Sequence, residues 1–289
     1  MHNYIKVSLP ARLKVQMMTN LIKCIAFISL AISCSVSLAW PVNQANPGGI
    51  ITLKLTRVTG IKPTVSFNKK QVAVIQHNGA WFAVVGLPLS IKPGTSHILV
   101  DQKKQAFEVI AKEYPEQHIT LKTRKHIDLS ASDLARHRKE KAKALKVFKV
   151  FDTELEPDLA MLKPVDGPYS SPFGLKRFFN GEPRNPHSGL DIAAPSGTPI
   201  KAPAQGKVVL TGDFFFNGNV VYVDHGQGMI SMFCHLSEVG VKVGDKLEKG
   251  QILGKVGATG RVTGPHLHWS LSLNNARVDP ILLLPKKTH

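Results

Sequence analysis

Acidic residues are scarce in this 289-residue chain: 20 Asp and Glu stand against 37 Lys and Arg, a formal charge of +17. Cysteine is scarcer still, with Cys24, Cys34 and Cys234 only. The first two lie in an apolar run that follows Lys23 and ends in small residues at Ala39. That run is about 16 residues long, short of the roughly 20 that span a bilayer. It therefore reads as a secretory leader cleaved after Ala39 rather than as an anchor. Its removal leaves Cys234 alone and excludes an internal disulfide. In an alternating strand Cys234 and its neighbour His235 point to opposite faces, which favours a buried structural thiol over a nucleophile.

The leader takes with it Lys6, Arg12, Lys14 and Lys23 and no acid, so the exported protein carries about +13. The polyanions within reach of an exported protein are wall polymers, anionic lipid and polysaccharide. The sequence also lacks any nucleic-acid-binding motif, internal repeat, low-complexity tract or familiar sugar-binding motif. No nucleic-acid partner is expected.

What is present is mostly β. From Pro47 to Ala111 short apolar strands alternate with turns such as Asn68-Lys69-Lys70, Asn78-Gly79 and Lys92-Pro93-Gly94, a pattern that fits a small immunoglobulin-like sandwich. Between Ser132 and Val150 neither Gly nor Pro occurs and helix formers dominate, with Ser132 as a candidate cap,. Arg136, Arg138, Lys139, Lys141, Lys143, Lys146 and Lys149 make this the most basic stretch. It suits a solvated linker helix or, through residues 136–149, a contact with an anionic wall or membrane surface. Beyond Lys163 strands and glycine-rich turns return, with His225-Gly-Gln-Gly228 closing a hairpin and His225 exposed in that turn,. The expected organisation is an all-β chain: a leader over 1–39, a front β domain over 40–120, a linker with the basic helix over 121–163, and a second β domain over 164–289.

Two clusters carry chemistry. His266-Leu267-His268-Trp269-Ser270-Leu271-Ser272-Leu273 alternates strictly, so His266, His268, Ser270 and Ser272 share one face and the Leu/Trp row the other,. Paired imidazoles on a strand are either a site or merely exposed. In Pro186-His187-Ser188-Gly189-Leu190-Asp191 the glycine argues against a helix, so His187 and Asp191 would converge through extended chain,. Imidazole and carboxylate suit zinc, and three protein ligands plus water describe an open catalytic site. Either cluster alone is a weak metal signal.

The residues around them fall in an ordered series: Pro186 to Asp191, then Cys234-His235-Leu236, then Gly257-Ala-Thr-Gly-Arg-Val-Thr-Gly-Pro-His-Leu-His268. From about Ser171 to Pro280 this series closely resembles the lysostaphin-type, LytM-like peptidoglycan zinc metalloendopeptidases, and residues 47–120 look like the amino-terminal domain of some members. The resemblance implies a mostly antiparallel sheet with Zn2+ held in a groove by His187, Asp191 and His268, and with His266 and His235 as the catalytic pair. It also implies an exported, periplasmic or envelope-associated enzyme acting on peptide bonds of peptidoglycan. Groove walls are expected at 173–186, 212–218 and 257–265, with Asn219 and Arg261 as substrate contacts. Phe233 departs from the family pattern, which has tyrosine there, so a hydroxyl near the site would be missing. Relatives without their ligands act as non-catalytic activators or wall-binding modules, the alternative function, and a front domain that covers the groove would be inhibitory.

Overall fold

The computed structural model describes residues 43–56, 60–120 and 129–285; the expected leader lies outside the described residues. The chain is all-β as expected, apart from one α-helix among the described residues and a 3-10 turn at Pro280–Leu283.

The front region is a sandwich of two antiparallel sheets. In one, strand Ala80–Gly86 lies between Ile50–Lys54 and Ala73–His77; in the other the order is Lys70–Gln71, Val65–Phe67, Gly94–Val100 and Lys103–Val109. The Asn78-Gly79 turn forms as the sequence suggests, with both residues at positive φ and His77 paired with Ala80, the geometry that matches strand twist in a two-residue hairpin. Ile51, Val74, Ala83 and Val85 meet Phe67, Ile98 and Phe107 inside the sandwich. The opposite face of the first sheet is buried as well: Ile50, Ala73, Ile75 and Val84 join the core of the second region, with Leu271, Leu273 and Val278. Burial on both sides explains why Ala73-Val74-Ile75 and Ala83-Val84-Val85 are unbroken apolar runs where a half-wet strand would alternate.

Polar side chains seal this junction. Asn274 accepts the Gly86 N–H at 2.7 Å and donates to the Gly86 carbonyl at 2.9 Å, while Gln227 accepts the Val74 N–H at 2.9 Å. The two β regions therefore belong to one compact unit.

The second region centres on a twisted antiparallel sheet in the order Lys246–Leu247, Gly206–Phe214, Gly218–Asp224, Ile230–Val239, His266–Leu273, Leu190–Ala193 and Tyr169–Ser171. One face carries Phe233, Leu267, Trp269, Leu271 and Ile192 into the main core. The other carries Tyr222, Ile230, Met232 and Cys234, on which Val147 and Phe148 at the end of the helix pack. The helix spans Ala131–Val147, and its cap is Ser130, whose hydroxyl accepts the Asp133 N–H, rather than Ser132. It is docked on the sheet and solvated only on its outer side: Glu140 and Val147 are buried, and Arg136 binds Glu140 and Asp213. His225 also departs from expectation. It is fully buried, with Nδ1 donating to the Gln205 carbonyl at 2.7 Å and Nε2 2.8 Å from the Ser231 hydroxyl. Burial lowers its pKa to about 4.

Because the regions share a core, Asn274→Ala, which strands two buried backbone groups of Gly86, is expected to destabilise the whole unit by about 1–3 kcal/mol. Urea unfolding followed by tryptophan fluorescence and far-UV circular dichroism should show one coincident transition at lower midpoint. Separate transitions for the two regions would contradict the shared core.

Candidate metal centre

Cross-strand register assembles the site. Asp191 lies opposite His268 and Ala193 opposite His266, while Cys234 flanks His268 on its other side. His187 precedes strand Leu190–Ala193 and reaches the same point through Ser188-Gly189. Gly189 is required there: a Cβ at this position would stand 2.6 Å from the His268 ring.

His235 arrives by a different route. Beyond Cys234 its strand slips register against Asn219 and Val221, a bulge at which His235 takes a left-handed backbone (φ 66°). Bulges re-aim side chains. His235 therefore turns to the same side as Cys234, not to the opposite face that strict alternation gives; its ring lies 4.8 Å from that of His266 and 6.1 Å from that of His268. Cys234 is nevertheless the inert buried thiol expected, its pKa pushed up to about 12 by burial.

Hydrogen bonds fix the ring tautomers. A carbonyl only accepts, so the Nδ1 atoms of His187, His235 and His266 must donate, to Pro172 at 2.8 Å, Thr259 at 2.9 Å and Gly264 at 2.9 Å,. A ring with a single proton then turns an Nε2 lone pair inward. His268 is reversed. The Ser270 hydroxyl donates to the Ser188 carbonyl at 2.9 Å, so it accepts from His268 Nε2 at 3.0 Å and leaves Nδ1 as the lone-pair atom.

Three acceptor atoms consequently face one point. His187 Nε2, His268 Nδ1 and Asp191 Oδ1 are separated by 3.1, 3.1 and 2.7 Å. Lone pairs so arranged repel unless a cation sits among them. A tetrahedral ion with bonds of about 2.0–2.1 Å has ligand–ligand edges of about 3.3 Å, close to these separations. Burial lowers the pKa of His268, and burial together with repulsion from His268 and His266 lowers that of His235 to about 4. These rings are set to be neutral donors of electron pairs.

The centre opens into a groove of about 770 Å³. Its expected walls all contribute: Leu175, Arg177 and Phe179 from the first, Phe216 and Asn217 from the second, and Arg261 to Pro265 from the third. A fourth wall was not legible. Strand Glu116–Ile119 pairs in parallel with Lys176–Phe179 and presents Gln117 and Ile119 to the groove. Among the described residues the front sandwich lines none of it, since it packs on the opposite face of the sheet. Arg261 borders the groove with its guanidinium over the Phe215 and Phe216 rings. Asn219 lies behind the wall, its amide donating to the Leu236 carbonyl at 3.0 Å, and Asn217 takes the bordering position. Phe233 is buried against Trp269 in the main core, so its lack of a hydroxyl takes nothing from the groove.

Two imidazoles, one carboxylate and an open fourth position in a groove define a mononuclear metallohydrolase type of centre. Residues 185–280 match peptidase family M23, and residues 43–112 match the peptidase family M23 N-terminal domain. A crystal structure of a candidate peptidase M23 from Pseudomonas aeruginosa is 46% identical, covers 83% of this chain and 95% of its own, and has a TM-score of 0.72. The chain belongs to peptidase family M23. Family and donor set together identify the cofactor as zinc. Peptidoglycan DD-endopeptidase ShyA of Vibrio cholerae is 41% identical over 119 residues, 40% of this chain and 28% of ShyA. DD-carboxypeptidase/endopeptidase Mpg of Neisseria meningitidis is 38% identical over 112 residues, 39% of this chain and 26% of Mpg. The match thus spans about a quarter of the length of these curated relatives.

Gly189→Ala should push the His268 ring off its position while leaving the fold intact, and weaken zinc binding by about 10- to 100-fold. Competition with a chromophoric chelator measures this; unchanged affinity would contradict the close packing at Gly189.

Proposed function

We propose that this chain is an exported zinc metalloendopeptidase that hydrolyses peptide cross-links in peptidoglycan. The observation that carries the proposal is the convergence of three lone pairs from His187 Nε2, Asp191 Oδ1 and His268 Nδ1 at the floor of an open groove, with two further imidazoles beside it. In this reading those three residues hold the metal. Bound there, zinc supplies a Lewis acid for a peptide carbonyl and a water of lowered pKa.

His266 and His235 do the proton work. His266 Nε2 stands 3.9 Å from Asp191 Oδ1 and, with Nδ1 committed to Gly264, presents an acceptor toward the reacting water. It takes the proton of that water and returns it to the departing amine. His235 has its only proton on Nδ1, bound to Thr259, and a pKa of about 4. Around neutral pH its Nε2 therefore accepts, which suits orienting the water better than donating to a developing oxyanion. Gln117 and Arg261 on facing walls supply polar contacts for an extended peptide. The named relatives favour the D,D cross-link as the bond cut. The exposed Lys139, Lys141, Lys143 and Lys146 of the helix suit the anionic polymers of the same wall.

Digestion of purified peptidoglycan by the exported form should convert cross-linked muropeptides to monomers, and a chelator should stop it. His266→Ala should lower turnover by about 10²- to 10⁴-fold with zinc stoichiometry retained, whereas His268→Ala should lose the metal. A zinc-loaded chain that releases no peptides, or equal zinc loss in both variants, would overturn the reading.

A further inference from the structure

Glu140 lies on the helix outside the catalytic set, yet its carboxylate is buried, with the side chain 11% exposed. One oxygen accepts from Arg136 Nε at 2.7 Å; the other accepts the backbone N–H of Phe215 at 2.9 Å. Arg136 extends the hold, donating to the Asp213 carbonyl at 3.0 Å and to its carboxylate at 3.1 Å. Two charged groups of one helix turn therefore grip the start of the loop that forms a groove wall. The helix itself is fixed to the sheet at its far end, where the Phe148 ring packs on Tyr222 and the Arg277 guanidinium lies 3.4 Å from the Phe148 centroid.

The gripped loop leads directly to His235. Two residues beyond Phe215, the Asn217 carbonyl accepts the His235 N–H at 2.8 Å, and the Asn217 amide donates to Cys234 Sγ at 3.3 Å. The intervening Phe216 carbonyl accepts the Arg261 N–H at 3.0 Å, and its ring meets His137 of the helix edge-on. His235 needs such support because a left-handed backbone is costly for a residue with a Cβ and persists only where surrounding contacts enforce it. Two bonds enforce it, Asn217 to the backbone and Thr259 to the ring. The first is only as firm as the loop that carries Asn217.

We propose that Glu140 is a positioning residue: through Phe215 and Asn217 it holds the groove wall that keeps His235 in its left-handed, inward-facing conformation, which makes the basic helix a working part of the centre. The proposal rests on the role of His235 in the reading above. A double-mutant cycle of Glu140→Ala and His235→Ala in the full exported chain, assayed on a soluble cross-linked muropeptide, tests it. Glu140→Ala alone is expected to lower kcat by about 10- to 100-fold, with KM and zinc stoichiometry little changed and the His235 ring resonances shifted. In the His235→Ala background the same change should cost less than about 2-fold, since coupled residues are non-additive. Glu140→Gln keeps an acceptor for the Phe215 N–H and should restore most of the rate.

Additive losses, or His235 resonances that do not move, would overturn the proposal while leaving the role of His235 intact. A His235→Ala chain with unchanged kcat would overturn both. Arg136→Ala removes the second tie to the same loop and is read by the same cycle if Glu140→Ala does not fold.

Discussion

A buried carboxylate is tolerable only when its charge is answered, and at Asp191 the answer is a cation shared with an imidazole from across the strand pair,. The register that sets Asp191 opposite His268 brings Oδ1 within 2.7 Å of an imidazole nitrogen, and His187 closes the triangle from the preceding turn. Since side chains alternate along a strand, a slip of one residue would send His268 into the apolar core and Trp269 into the groove. The metal centre and the hydrophobic core are thus two consequences of one pairing. The supporting details follow from it: Gly189 leaves room for the His268 ring, Ser270 orients that ring, and the bulge at His235 brings a further imidazole to the same side.

The sheet separates stability from chemistry by face. Its apolar side is covered in part by the first sheet of the front sandwich, so residues far apart in sequence share one core. Its other side carries the groove and, beside it, the docked helix. Among the described residues the front sandwich lies on the apolar side and lines none of the groove. What the front region does supply is its trailing segment, since Glu116–Ile119 forms a wall by pairing with Lys176–Phe179.

Features written in local pattern were legible in the sequence. Strict alternation over His266–Leu273 gave the face on which the two histidines lie, and Asn78-Gly79 gave its hairpin because that dipeptide favours positive φ,. The series from Pro186 to His268 named the three converging residues before any geometry. What was hidden depends on partners distant in the chain. Nothing in Glu116-Gln117-His118-Ile119 announces a groove wall, because the wall exists only by pairing with a strand some 60 positions later. His235 escaped the alternation rule through a bulge that needs Asn217 and Thr259 to hold it. His225 was misjudged because a glycine-rich turn is ordinarily exposed, whereas this one is covered by the segment that carries Asp152 and Leu155. Ser130, two residues earlier, displaced Ser132 as the helix cap, a difference that composition does not encode.

The central claim is that three lone-pair atoms, and not the neighbouring imidazoles, are arranged to receive the metal. Anomalous diffraction at the zinc edge from crystals of the zinc-loaded protein tests it most directly. The account predicts one ion at about 2.0–2.2 Å from His187 Nε2, an Asp191 carboxylate oxygen and His268 Nδ1, with His235 and His266 outside the coordination sphere. An ion bound by His266 or His235 in place of any of these three, or coordination through His268 Nε2, would contradict it.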